Sequence, residues 1–212
     1  MKSVISAPLL LACGFLFTVL SASLALGQSQ PSSESVLDML SGYEYTPSGQ
    51  DLEVLGPGVP GLLMQIIQDP EMMKYHRLRA LGLLQYYPDR PEVQSFLTSL
   101  LSEKDLPSGF LRAAIRTLGR SAKGKAIDTL TPFLSSEDVH IREAAAQALF
   151  ETGDPSTGAL LKGAAAKEPE PFLKKNMAEM SQRLETGKPN KDEDVSLGGA
   201  NQKSLKGIKS KK

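Results

Sequence analysis

Two histidines, His76 and His140, and one cysteine, Cys13, are the whole stock of imidazole and thiol in a chain of 212 residues. A zinc site needs three or four such ligands converging on one point, and a nucleophilic triad needs a Ser or Cys held against an oriented His. The two histidines fall in repeats with one other between them and no further zinc ligands cluster near either, and so small a stock nearly excludes triads of the usual kinds, so catalytic residues, metal ligands and a cofactor are not expected. The carboxylate pairs Glu137-Asp138 and Glu168/Glu170 stand in turns just ahead of apolar runs. They read as helix N-cap chemistry, not as an acid–base pair in a cleft. The run "GRSAKGKA" at 119–126 lacks the Gly-Lys-Ser/Thr ending and the preceding strand of a phosphate loop. What the chain does repeat is positive charge: Arg79, Arg112, Arg116, Arg120, Arg142, Lys174 and Lys175 recur at related places in successive apolar segments. Arginine forks pair bidentately with carboxylates or phosphates, so the chemistry on offer is recognition of an acidic surface.

The segments that carry these side chains read as short amphipathic helices. Apolar residues recur at three and four positions in Pro60–Gln68, Met73–Tyr86, Glu92–Ser102, Pro107–Arg120, Ala126–Ser135, Val139–Glu151, Ser156–Ala166 and Pro171–Leu184. In Val139–Glu151, for example, Ile141, Ala144, Ala145, Ala148 and Leu149 share one face, with Glu143 and Gln147 opposite. Most of these helices run about three turns, too short to be stable alone, so each must bury its apolar face on a neighbour. Hydrophobic residues make up 41% of the chain, aromatics 6%, and Trp is absent. Leu, Ala, Ile and Met in that proportion favour packed helices over sheets.

The helices pair into repeats. Arg77, Leu111, Arg142 and Lys174 align as starts of second helices, at steps of 34, 31 and 32 residues, and three positions on stand Ala80, Ala114, Ala145 and Met177. A period in the low thirties with two helices per unit is that of an α-solenoid. The segment "SSEDVHIREAAAQALFETGDP" at 135–155 resembles a HEAT repeat: an acidic turn, an apolar residue and Arg opening the second helix, paired Ala, a late Leu, then Gly and a Pro-containing turn. Residues 106–126 fit with Arg112 displaced by one position; residues 69–84 fit loosely; residues 168–184 fit least, as a terminal cap would.

That resemblance implies an all-α fold, a short right-handed α-solenoid of about four helical hairpins over residues 58–185, with the second helices lining an inner face. It also implies a ladder in which arginines of second helices bond acidic turn residues of adjoining repeats. On that pattern Arg79, Arg112 and Arg142 are expected to pair with Asp69, Asp105 and Asp138. Arg116, Arg120, Glu143, Gln147 and Lys175 are then the residues expected to meet an unknown protein partner; no specific nucleic acid is expected.

Both ends differ from this body. Lys2, an apolar run from Leu9 to Leu26, and Ala25-Leu26-Gly27 before a polar stretch form the pattern of a secretory signal, residues 1–27, cut between Gly27 and Gln28. At about 18 residues the apolar run also reaches the length of an uncleaved membrane anchor, and "LLAC" ending at Cys13 has some likeness to a lipid-attachment site. A cleaved chain has no cysteine and no disulfide. Residues 28–57 are rich in Ser, Pro and Gly and read as a linker with a short helix at Ser35–Ser41. Residues 28–185 hold 16 basic and 21 acidic residues, whereas residues 186–212 hold seven Lys against three acidic residues and read as a disordered basic tail. The expected function is an exported, periplasmic or secreted, non-catalytic interaction scaffold. The alternatives are an envelope tether that holds anionic polymer or lipid through the tail and a HEAT-like lyase-type enzyme.

Overall fold

A computed structural model describes residues 32–42 and 44–187. The expected signal segment 1–27 and nearly all of the Lys-rich tail lie outside the described residues. The described chain is helical, and no strand occurs among its residues. Four hairpins follow one another: α3 (Val59–Gln68) with α4 (Lys74–Leu83), α5 (Pro91–Leu101) with α6 (Ser108–Ala122), the segment Lys123–Ser135 with α8 (Val139–Glu151), and α9 (Ser156–Lys167) with α10 (Pro171–Thr186). The first helix of the third hairpin is broken. It runs as a 3₁₀ turn at Lys123–Ala126, a single α turn α7 (Ile127–Leu130) and a second 3₁₀ stretch at Thr131–Ser135. Pro132 lies inside the span expected to be one helix; it donates no backbone bond and crowds the carbonyl four residues back, so the regular helix ends ahead of it.

The second helices α4, α6, α8 and α10 pack against one another in order, with the first helices as the other layer. The second helices run parallel. Ser108 at the start of α6 hydrogen-bonds Asp138 at the start of α8 (3.1 Å), while Arg120 near the end of α6 reaches Glu151 at the end of α8 (2.9 Å). Close approach is obtained with small side chains: Ala114, Ala144, Ala145 and Ala148 are fully buried. The tightest point is Gly119, where an added Cβ would lie 2.7 Å from the Ala148 Cβ and 2.9 Å from its carbonyl oxygen. The core continues through Leu63, Ile67, Leu81, Leu97, Ile115, Leu118, Leu130, Leu149 and Leu161, all almost fully buried.

Within the span read as a linker, the helix expected at Ser35–Ser41 is present as α1 (Ser33–Ser41), and a second helix, α2 (Gly49–Leu55), follows it. Ser32 caps α1, accepting the Ser35 amide (3.1 Å), and Ser48 and Asp51 close a reciprocal capping box on α2. Val36, Leu40 and Leu52 are buried, and α1 packs on α3 and α4. The side of the first hairpin that would otherwise face water is thus covered. At the far end α10 serves as the cover, with Lys174, Lys175, Glu179 and Gln182 exposed on it.

Candidate partner-binding face

One side of the second-helix layer is left to solvent. Aligning the helices on Arg77, Leu111, Arg142 and Lys174 puts its side chains in rows that run across the stack. Leu78, Arg112, Glu143 and Lys175 form one row, Gly82, Arg116, Gln147 and Glu179 the next. Beyond them Gln85, Arg120 and Glu151 are linked directly.

The last row is closed by its own bonds. Arg120 donates from Nε to Glu151 Oε2 (2.9 Å), from Nη2 to Glu151 Oε1 (3.3 Å) and from Nη1 to Gln85 Oε1 (3.3 Å). Gln147 donates to the same carboxylate at 3.0 Å. The hydrogen bond to Glu151 pushes the Arg120 pKa upward from its ordinary value. Arg120, expected to face a partner, therefore bridges three repeats at the ends of their second helices, and Gln147, expected there too, bonds the same carboxylate within its own helix α8.

The expected inter-repeat ladder is rebuilt with different partners. Arg142 bonds Glu168, in the turn before α10, through two parallel bonds of 2.8 Å, and its Nη1 donates to the Ser136 and Glu137 carbonyls at 2.9 and 3.0 Å. The Arg142 and Glu168 side chains are 12% and 2% exposed. The guanidinium holds the Glu168 carboxyl below the usual carboxylate range, and the Glu170 amide adds to that (3.0 Å). Asp138 is engaged elsewhere: it accepts the His140 amide (2.8 Å) and the Ser108 hydroxyl. Asp69 accepts the Glu71 amide of its own turn (2.9 Å), and Asp105 is exposed. Arg79 turns toward the N-terminal cover, donating to the Tyr45 carbonyl (2.5 Å) and the Tyr75 hydroxyl (2.8 Å), with its guanidinium 5.2 Å from the Tyr75 ring. Arg77, the alignment point of the first repeat, also ties the first two repeats together. Its Nε donates to the Ile67 carbonyl (2.8 Å), and its guanidinium stands 4.8 Å from the Phe110 ring centre.

Arg112 and Arg116 differ from all of these. Both are half-buried on α6, their Nε atoms are shielded from solvent, and neither nitrogen has a hydrogen-bond partner. Among the described residues neither arginine makes an ion pair. Arg112, expected in the ladder, finds no acidic turn within reach, because Asp138 is committed to its own helix N-terminus. Glu143, beside it in register, lies 3.9 Å from His140 Nδ1 instead. Lys175 is well exposed and only loosely paired with Glu179 (3.9 Å).

A cleft of about 500 Å³ opens on the other layer, between residues 131–136 and α9. The Arg142–Glu168 pair forms part of its wall, with its bonds directed within the protein. His76 hydrogen-bonds Ser41 (3.2 Å), and His140 stands on α8, two second helices away.

Residues 105–181 match a family model described as HEAT repeats. No curated protein matches the chain. The matched span runs from the turn before α6 to the last turns of α10, and it contains the Arg142–Glu168 and Arg120–Glu151 bridges that join its helices. Residues 105–181, from α6 to α10, are thus HEAT repeats.

Proposed function

We propose that the protein is an exported, non-catalytic scaffold that binds a protein partner on the exposed side of its second-helix layer. The observation that carries this reading is the contrast between rows on that side. Arg120, Gln147 and Glu151 saturate one another, while Arg112 and Arg116 are left unbonded on the adjoining turns. A solenoid presents such a surface across several helices without needing a deep pocket. Arg116, Glu143 and Lys175 carry the contact in this reading, and Arg112 joins them. Export rests on the order of charge, apolar run and small residues over residues 1–27.

The test is site-specific photo-crosslinking in the native cell, with the reactive group placed in turn at Ala113, Glu143 and Lys175 and, as reference, at Lys104 and Lys162 outside this face. Crosslinks to one protein from the first three positions are expected. Crosslinks confined to the reference positions would remove this face from the function.

A further inference from the structure

We propose that the groove between α1 and α3 is the docking site of the chain's own basic end, residues 203–209, which reaches back along the stack to fill it. The contact lies on the N-terminal cover, apart from the second-helix face, and does not depend on a partner binding there.

Ser33 and Leu37 on α1, Leu62 and Ile66 on α3, and Asp69 and Met72 in the turn after it line a groove of about 180 Å³. Ile66 is buried, while Leu37, Leu62 and Met72 are half-buried, so the groove holds aliphatic surface that water still reaches. An apolar cavity of about 150 Å³ accepts a benzene-sized group, and this one therefore seats a single aliphatic side chain. Its rim is acidic. Around α1 the buried Val36 and Leu40 come first, then Ser33 and Leu37, then the exposed Glu34 and Asp38. Glu71 is exposed between Asp69 and Met72. Among the described residues Glu34, Asp38, Asp69 and Glu71 make no ion pair.

Charge along the chain selects the occupant. Residues 32–73 hold seven acidic residues and no Lys or Arg, whereas residues 74–185 hold 16 basic and 14 acidic. The negative excess of the body thus sits wholly at the end that carries the groove. Residues 195–212 hold five Lys and no acidic residue, and within them Leu205 and Ile208 stand among Lys203, Lys206 and Lys209. Either aliphatic side chain, seated in the groove, puts neighbouring lysines at the acidic rim. Exposed ion pairs contribute little one by one, so the apolar seat fixes the register and the lysines choose the end of the stack. The reach suffices. The groove lies three second-helix spacings, one helix length and one further layer from Gly187, about 45 Å in all. The 18 residues from Gly187 to Leu205 span up to roughly 60 Å. Tethering holds the segment at an effective concentration on the order of a millimolar, so a contact too weak to join dilute copies is populated within one.

The experiment uses the protein as purified from the native cell, with a photoreactive apolar residue in place of Leu205, of Ile208 or, as reference, of Ala200. Crosslinks are mapped by mass spectrometry. Positions 205 and 208 should link to residues 33–37, 62–66 or 69–72 at least fivefold more than position 200 does. Removing rim charge in E34Q/D38N/E71Q should lower that yield at least fivefold, against less than twofold in D89N/E103Q/D105N, which removes three exposed carboxylates elsewhere. High salt should act like the rim variant, because it screens exposed charges. K203Q/K206Q/K209Q tests the same contact from outside the described helices, so it stays readable if the rim variant folds poorly, and it too should lower the yield at least fivefold. A mixture of ¹⁴N- and ¹⁵N-labelled protein separates the sources: linked peptides of a single isotope are expected. Mixed-isotope pairs at the statistical share would make a second copy the occupant and overturn the proposal. Crosslinks spread evenly along the body, a yield indifferent to the lysines, or capture of a lipid or another protein in place of the groove would overturn it as well.

Discussion

Glu168, in the turn before the last helix, receives both arms of the Arg142 guanidinium at 2.8 Å, and its side chain is only 2% exposed. This ties the third repeat to the fourth through one charged contact that water hardly reaches. Removing one member of such a pair strands the other, a loss of about 3–5 kcal/mol. Arg142→Ala is expected to destabilise by about 3 kcal/mol on that basis, since the carboxylate also keeps the Glu170 amide. Urea unfolding of the parent, both single alanine variants and the double variant gives the coupling. Additive losses would show that the two groups stabilise the fold separately.

The same pair sets an acid limb. The folded pKa of Glu168 is depressed, so its contribution is fully present above the unfolded value, near 4.5, and is lost as pH falls through the lower folded value. Stability should therefore decline below about pH 4.5, and the decline should be shallower in Arg142→Ala. Asp51 lies lower still, held at about 2 by bonds from Ser48 and Tyr45. Its carboxyl should titrate by NMR well below the usual carboxylate range, and Ser48→Ala should raise it. A normal Asp51 titration would remove the capping box from solution.

Gly119 and Gly82 make a matched pair on neighbouring second helices. A Cβ at Gly119 would stand 2.7 Å from Ala148, whereas one at Gly82 meets nothing within 4 Å. Gly119→Ala should cost about 1–3 kcal/mol by overpacking the α6–α8 contact. Gly82→Ala should gain up to about 1 kcal/mol from helix propensity alone. Thermal unfolding compares them directly, and a neutral Gly119→Ala would mean that the helices sit further apart than this structure has them.

Helix positions were legible because their apolar periods are strong: Val139–Glu151 is found as the sequence reading had it, and most other second-helix ends moved by one or two residues. Pro132 ends the regular helix although the apolar period runs on through Ala126–Ser135. The Glu168 partnership was hidden for another reason. A carboxylate two residues before a helix looks like a local cap, and Glu168 does accept the Glu170 amide; that the same group also reaches back one repeat needs the stacking distance. Arg120 was assigned to a partner because its acceptor, Glu151, is 31 residues away. The helix at Ser33–Ser41 was legible, but α2 and the packing of both helices were not, because few residues of 33–55, among them Val36, Leu40, Pro47 and Leu52, are buried, too few to dominate a Ser- and Gly-rich composition.

Tyr87 offers a test of polar burial. Its hydroxyl is shielded and without a partner, and burial pushes its pKa up to about 12. Tyr87→Phe removes a desolvated group that gains nothing in return, so stability should stay level or rise by up to about 1 kcal/mol. A loss of more than that would reveal a water or side chain that satisfies the hydroxyl in solution.

The cover helix α1 gives the prediction that separates a linker from a structural part. Leu40 is fully buried and α1 packs on both helices of the first hairpin. A linker would tolerate Leu40→Ala without effect. A packed helix should lose about 2–4 kcal/mol, the transfer of the leucine side chain plus the cavity it leaves. The loss has a local character as well. His76 reaches Ser41, and Arg79 reaches the Tyr45 carbonyl, so loosening α1 frees both from the segment they hold. Hydrogen exchange should then accelerate first in α3 and α4, and later or not at all in α8 and α10, because stacked repeats exchange stability chiefly with their neighbours. Uniform acceleration along the chain would mean that the stack unfolds as one unit, with α1 an equal member of it.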